Sequence, residues 1–193
     1  MLNVAVEILD AHGQSLALFD RAVHDIGPGD WGRPTPCAAW SVRDLVNHLV
    51  VEQLWVPPLL DGATLDDVGD RFDGDRLGDD PVAAWETSAA TAREAWLAPG
   101  VPQRTVHVSF GLIPAEEYCW QMSIDFAVHA WDLAMALGKP NPIPAELAAH
   151  LLEVVRPWVD DWQGIGLFDP PVAVGRSADD ATRLVALLGR QPR

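Results

Sequence analysis

The chain has 193 residues, 49% hydrophobic and 21% charged, and its 28 acidic and 13 basic side chains give a formal net charge of −15. This length and composition predict one globular domain over residues 1–193. The negative charge argues against nucleic acids and anionic membranes as partners, since both bind proteins through basic surfaces, and no apolar run approaches the roughly 20 residues that cross a bilayer.

The first half of the chain predicts two long helices. Apolar side chains recur every three or four residues over 2–26, and the acidic Glu7 and Asp10 in this segment are unlike a signal peptide, so we expect a cytoplasmic protein. After a segment rich in Gly and Pro, Ser41 is a good N-cap for a second helix, with Asp44 completing a capping box. The consecutive prolines 57 and 58 are expected to stop this helix or to kink it near its end.

The middle of the chain alternates between loop and helix signals. Residues 61–80 are acidic and punctuated by glycine, but they lack the spacing of a calcium-binding loop, so a solvated loop is predicted. Asp80 and Pro81 then suit the N-cap and first position of a third helix. Residues 104–111 alternate like a short extended segment.

The last part of the chain predicts three more helices. A fourth helix begins at Pro114 and ends near Leu137, where Gly138 suits its C-terminus. A fifth covers about 144–162, and a short final helix covers about 178–189, begun by Ser177 and stopped by Gly189. Because strand signals are almost absent, the sequence predicts an all-α bundle with short added elements.

The fourth predicted helix carries a polar strip on an otherwise apolar surface. Asp125 and His129 are four residues apart and therefore share one face, close to Asp132. A helix that is apolar nearly all round is expected to be buried. Its polar strip is then either the one solvent-exposed edge of a bundle helix or an internal polar site, and the segment by itself leaves both interpretations open.

A histidine on the second helix favours the internal site. His48, Asp125 and His129 would form a set of two imidazoles and one carboxylate, which can bind a divalent metal and leave positions open for a substrate. Glu52, four residues after His48, is a candidate proton acceptor, and Asp132 is a candidate to orient the His129 ring from behind. The alternative is a boundary histidine with ordinary surface acids.

Other residues are secondary candidates. His12 lies on the apolar face of the first helix and could line the same interior. Arg33 and Arg43 are the bases nearest in sequence to the second helix and could receive an anionic substrate, and Cys37 is an alternative nucleophile. We expect most tryptophans near the two motif segments to be core residues, with one or two walling a pocket: Trp31, Trp40, Trp55, Trp120 and Trp131.

Two segments carry a resemblance to a known family. The stretches "WGRPTPCAAWSVRDLVNHL" (31–49) and "DFAVHAWDLAMALGKP" (125–140) resemble the metal-binding domain of mycothiol-dependent maleylpyruvate isomerase and its short actinobacterial relatives, within the DinB-like superfamily. The closing "PPVAVGRSADDATRLVALLGRQP" (170–192) is similar to the tail of those short relatives. The resemblance therefore covers nearly the whole chain.

The resemblance implies a fold and a metal site. It implies a DinB-like four-helix bundle over about 1–140, with short C-terminal helices over about 141–193. It also implies a divalent metal, most often Zn²⁺ with Ni²⁺ or Fe²⁺ as alternatives, on His48, Asp125 and His129. The isomerase itself has Glu at the position of Asp125, so this chain has a shorter acid in the ligand set.

The resemblance also implies a class of chemistry. The expected function is metal-dependent S-transfer or isomerisation of a small electrophile, with a low-molecular-weight thiol such as mycothiol as co-substrate. The alternatives are a non-catalytic metal-binding module and a metal-assisted hydrolase that uses the same site. The isomerase has a further C-terminal domain that helps form its active site, and this sequence shows no counterpart to it, so maleylpyruvate itself is not the expected substrate. A homodimer is compatible with the exposed helix faces.

Overall fold

A computed structural model describes residues 2–37, 39–160 and 168–192, with side chains from residue 7 onward. Four long helices form its centre. They are α1 (Leu2–His24), α2 (Val42–Leu60), α4 (Pro81–Leu97) and α5 (Ala115–Ala136). Helix α1 packs chiefly along α5, and α2 packs chiefly along α4, with further contacts between the two pairs. The predicted all-α bundle is therefore confirmed.

The core of this bundle is made of aromatic and aliphatic side chains from all four helices. The rings of Phe19, Trp85 and Phe126 pack edge to face or tilted on one another and are fully buried. Each such ring removes a large apolar area from water, so these contacts contribute much of the stability of the bundle. Helix α5 contributes apolar residues on almost every side, as its sequence predicted.

Shorter elements complete the described chain. They are α3 (Leu65–Val68), a 3₁₀ turn (Val101–Gln103), strands β1 (Thr105–Val108) and β2 (Gly111–Pro114), α6 (Ala145–Val155) and α7 (Asp180–Leu187). The strands form an antiparallel hairpin in which Val106 faces Ile113 and Val108 faces Gly111. Helices α6 and α7 pack mainly on each other. The assignment of the whole chain to one domain stays a prediction.

The start of α2 agrees with its sequence, and its two prolines lie near its end without stopping it at once. Ser41 and Asp44 form the predicted capping box, which is worth about 1 kcal/mol. The helix does not stop at Pro57 and Pro58 but continues to Leu60. Both prolines lie in its last turn, where their carbonyls still accept bonds, including one from the amide of residue 61 to Pro57 at 3.0 Å, so only two amide donors are lost.

Two predicted segments contain more structure than expected. The acidic segment 61–80 includes α3, whose Thr64 and Asp67 form a second capping box. The extended segment 104–111 does not stand alone, because β1 pairs with β2. Strand β2 begins with Gly111 and ends with Pro114. Both residue types are rare in strands, so the sequence did not predict this strand.

The C-terminal helices are shorter than predicted. Helix α6 ends at Val155, and a turn at 156–158 interrupts the predicted range of 144–162; residues 161 and 162 lie outside the described chain. Helix α7 begins after Asp179, whose carboxylate accepts from the amide of Thr182 at 2.7 Å, and not after Ser177. None of the helices in the described ranges is both long and apolar enough to span a bilayer.

Burial of His12 makes the stability of the fold depend on pH. Its ring is fully buried between Trp96 and Phe126, and its Nδ1 lies 3.0 Å from Nη1 of Arg93. Burial, assisted by the Arg93 charge, lowers the pKa of His12 to about 3. Between about pH 6.5 and that value the unfolded chain binds a proton that the folded chain rejects, so stability is lost as the pH falls.

We therefore expect the free energy of unfolding to fall by about 1.4 kcal/mol per pH unit below about pH 6 from His12 alone. Chemical denaturation at several pH values measures this slope. In His12→Gln, which keeps an acceptor for Arg93 but does not titrate, the slope should be smaller by that amount. Equal slopes in the two proteins would show that His12 is protonated in the folded state.

Candidate metal centre

Three predicted ligands meet between α2 and α5. The cap at Ser41 fixes the start of α2, and His48 follows about two turns later on the side that faces α5. Asp125 and His129 are one turn apart on α5 and present their side chains to His48. Nε2 of His129 lies 3.2 Å from Oδ1 of Asp125, and Nε2 of His48 lies 3.4 Å from Oδ2 of the same carboxylate.

This geometry fits a small divalent cation. One donor atom from each of the three residues lies within 4.8 Å of the other two. Two ligand atoms of a tetrahedral zinc with bonds near 2.05 Å are about 3.3 Å apart, a spacing similar to the two contacts that the Asp125 carboxylate makes through its two oxygens. Although Asp125 has a shorter side chain than glutamate, it reaches both imidazoles. Ligation by these residues stays a prediction, and their convergence meets its geometric requirement.

The charges around the His129 ring also favour a cation. Burial alone would raise the pKa of Asp125, but His129 and His48 hold it far below its usual range. Burial alone would lower the pKa of His129, but attraction to Asp125 and hydrogen bonds to Asp125 and Asp132 raise it well above its usual value. Two negatively charged carboxylates thus contact the His129 side chain, which is only 5% exposed.

Asp132 occupies the supporting position that the sequence predicted for it. Its fully buried carboxylate oxygen Oδ2 lies 2.9 Å from Nδ1 of His129, so it can accept a hydrogen bond from Nδ1–H and leave Nε2, which faces Asp125, as the nitrogen that would bind a cation. Burial would raise the pKa of Asp132, but the bonds from His129 and Arg190 keep it lowered.

Arg190 fixes this carboxylate from the opposite side and was missed by the sequence reasoning. Its Nη2 donates to Oδ2 of Asp132 at 2.9 Å, and its Nε donates to Oδ1 at 3.3 Å. The residue lies beyond the end of α7, in a segment without periodicity, so no sequence signal connects it with α5. The C-terminal part of the chain therefore contributes directly to the centre.

A second group of potential ligands lies behind the first. Cys37, His129 and Asp132 also have donor atoms within 4.8 Å of one another. However, Nη2 of Arg190 lies 3.2 Å from Sγ of Cys37 and 2.9 Å from Asp132, so a guanidinium already provides the positive charge there. The group containing His48 is therefore the better candidate for metal binding.

A cavity of about 850 Å³ opens onto these ligands. Glu52 lines it, and Nδ1 of His48 lies 3.9 Å from its carboxylate. Burial raises the pKa of Glu52, while the charge of His48 opposes this shift. Apolar side chains make up much of the remaining wall: Trp40, Trp55, Leu59, Leu65, Val108, Phe110, Met122 and Phe168. Two of the five highlighted tryptophans thus wall the cavity.

Three secondary candidates lie elsewhere. His12 is buried in the bundle core and does not line the cavity.

The two arginines form ion pairs elsewhere. Arg33 pairs with Asp30 at 3.1 Å, and Arg43 pairs with Asp75 at 2.7 Å. Neither arginine lines the cavity, because the first pairs with an acid three residues before it and the second with an acid of the segment between α3 and α4. The expectation that they receive an anionic substrate stays a prediction. Cys37 does line the cavity, beside Arg190.

Comparison with known proteins gives consistent matches. The family model described as "Mycothiol maleylpyruvate isomerase N-terminal domain" matches residues 12–134, which include all three candidate ligands. Two uncharacterized proteins from two strains of Mycobacterium tuberculosis are each 31% identical over 191 residues, covering 96% of this chain and 98% of theirs.

Two solved structures share the fold. They are crystal structures of the mycothiol-dependent maleylpyruvate isomerase and of a histidine-to-alanine mutant of it, with TM-scores of 0.59 and 0.62. Each is 18% identical in sequence, and the match covers 81% of this chain and 72% of the other. This likeness confirms the predicted fold class.

Proposed function

Because the chain belongs to the mycothiol maleylpyruvate isomerase N-terminal domain family, we propose that it is a metal-dependent thiol S-transferase or isomerase that acts on a small electrophile. The co-substrate is a low-molecular-weight thiol such as mycothiol. The observation that carries the proposal is the convergence of His48, Asp125 and His129 in the wall of a large cavity. The cavity, at about 850 Å³, is of the size that proteins use to bind small molecules.

Each residue of the centre has a role in this proposal. His48, Asp125 and His129 hold the cation, and Asp132 keeps the His129 ring in the orientation that ligation needs. When bound, a divalent cation such as Zn²⁺ favours the thiolate over the thiol and so provides a nucleophile near neutral pH. Glu52 accepts the thiol proton, a role suited to a carboxylate whose pKa is raised by burial.

The cavity walls support the same chemistry by limiting access of water. Trp40 packs beside both imidazoles, with ring centroids 4.8 Å from His48 and 5.9 Å from His129. Apolar side chains around a charged centre lower the local dielectric constant and strengthen its interactions with a reacting sulfur. The small-molecule partner and the thiol thus meet in a partly enclosed space.

A thiol-transfer assay tests the proposal. With mycothiol and a panel of electrophiles, we expect turnover that falls by at least about 100-fold in His48→Ala or after treatment with a chelator. The matched control is His24→Ala, because His24 is an exposed histidine that pairs with Glu86 away from the cavity; this variant should keep full activity.

Two other outcomes would contradict the proposal. Metal binding without turnover of any electrophile would indicate a non-catalytic metal-binding module. Ester hydrolysis without thiol transfer, lost in the same variant, would indicate a hydrolase that uses the same ligands.

A further inference from the structure

The cavity has more acidic than basic side chains, which is unfavourable for binding an anion. Its acidic side chains are Glu52, Asp125 and Asp169. Among the described residues that line it, Arg190 is the single arginine or lysine, and its guanidinium is held by both oxygens of Asp132. A cation at the ligand cluster would not create a surplus of positive charge, because Asp125 and a thiolate offset it.

The cavity also contains an uncharged donor without a partner. Gln121 lies on α5 one turn before Asp125 and lines the cavity. Its Nε2 atom is buried and has no hydrogen-bond partner among the described residues. A buried donor left unpaired costs free energy, so a rotation of the Gln121 side chain that brings this amide to an acceptor on a ligand gains a hydrogen bond without breaking an existing one.

The remaining walls are apolar and partly aromatic. Trp40, Trp55, Phe110 and Phe168 line the cavity, and Phe110, at the turn of the β1–β2 hairpin, is 47% exposed. An aromatic side chain that is exposed at a cavity gains from burial against a ligand of similar character. These walls favour a flat apolar body over a hydrated one.

We propose that the electrophile is an uncharged, largely apolar molecule whose carbonyl-type oxygen accepts a hydrogen bond from Nε2 of Gln121. This inference rests on the proposed function for the word electrophile, and the binding site itself does not depend on turnover. With the cation offset by Asp125 and a thiolate, and Arg190 held by Asp132, a carboxylate substrate would lose its hydration without gaining an unpaired positive charge, and the net charge of −15 further opposes its approach.

A set of unreactive probes tests the inference in the absence of any thiol. Methyl cinnamate is uncharged, aromatic and carries a carbonyl, cinnamate is its anionic counterpart, and propenylbenzene lacks the carbonyl. Titrations of the metal-free protein, in which no open metal position can bind the carboxylate of cinnamate, are followed by tryptophan fluorescence and calorimetry and give the three dissociation constants. We expect methyl cinnamate to bind at least about tenfold more tightly than cinnamate and about fivefold more tightly than propenylbenzene.

Replacing Gln121, with a second glutamine as control, tests whether its amide donates the hydrogen bond to the carbonyl of the ligand. Gln121→Leu should weaken methyl cinnamate about fivefold and leave propenylbenzene unchanged or tighter. The matched control Gln14→Leu changes an exposed glutamine of α1 that does not line the cavity, and it should change none of the three constants. Equal or tighter binding of cinnamate, or an unchanged preference in Gln121→Leu, would overturn the inference.

The outcome is separable from that of the proposed function. If the probes bind in the expected order while no electrophile is turned over, S-transfer fails and the site for an uncharged ligand stands. If thiol transfer occurs with a preference for anionic electrophiles, the proposed function stands and this inference fails.

Discussion

Replacing His129 with alanine is expected to remove bound metal from the purified protein, lowering it from roughly one equivalent per chain to near zero. The ring is the centre of the cluster, since Nε2 faces Asp125 at 3.2 Å while Nδ1 faces Asp132 at 2.9 Å. Without it only His48 and Asp125 remain as donors. Loss of a supporting hydrogen bond alone lowers metal affinity by about 10- to 100-fold, so loss of a ligand should cost more than about 100-fold.

Elemental analysis together with a competition titration against a chromophoric chelator measures this effect. His129→Ala also leaves two carboxylates without their imidazole partner, which can cost about 3–5 kcal/mol of stability. For this reason His48→Ala, at a side chain that is 27% exposed, is the companion variant. His24→Ala should keep its metal. Full metal content in folded His129→Ala and His48→Ala would refute ligation at this centre.

Replacing Arg190 with methionine is expected to weaken metal binding by about 10- to 100-fold, although the residue is not a ligand. Its guanidinium makes two hydrogen bonds to Asp132, and its Nη1 donates to the carbonyl of Leu188 at 3.0 Å, which ties the end of α7 to α5. Without these bonds the Asp132 carboxylate loses its fixed position, and the His129 ring loses the acceptor that orients it.

Two further variants separate a positioning role of Arg190 from a simple effect of its charge, and a folding control separates both from a loss of stability. Arg190→Lys keeps the charge but not the two-pronged geometry, so it should restore only part of the metal affinity. The control Arg183→Met removes the same charge from α7, where Arg183 is half-buried and paired with Asp180, and should bind metal normally. Circular dichroism and denaturation establish that each variant is folded. Unchanged metal affinity in folded Arg190→Met would contradict the positioning role.

Most of the main helices could be predicted because their signals are local. Ser41 with Asp44, and Asp80 with Pro81, mark helix starts through hydrogen bonds and backbone angles within a single turn, and the structure shows both. The end of α5 at Gly138, with a φ of 70°, follows in the same way. The missed elements, α3 and β2, are short, and their stability depends on neighbours more than on their own pattern.

The composition of the candidate centre was readable for a related reason. Asp125 and His129 share a helix face by spacing alone, and Asp132 follows on the adjacent turn. Their apolar surroundings on α5 indicated burial, which makes a polar strip unusual enough to require an explanation. The sequence therefore determined the α-helical fold class, its family resemblance and the residue types that form the candidate metal centre.

Only the tertiary structure decided how these residues meet other parts of the chain. It brought His48 of α2 to within 3.4 Å of Asp125, directed Arg190 from the C-terminal segment onto Asp132, and turned Arg33 and Arg43 away from the cavity. Such contacts depend on how helices pack against each other and on where irregular segments run. Local patterns record the faces of single elements, whereas the relative placement of distant elements is fixed by the packing of the whole core.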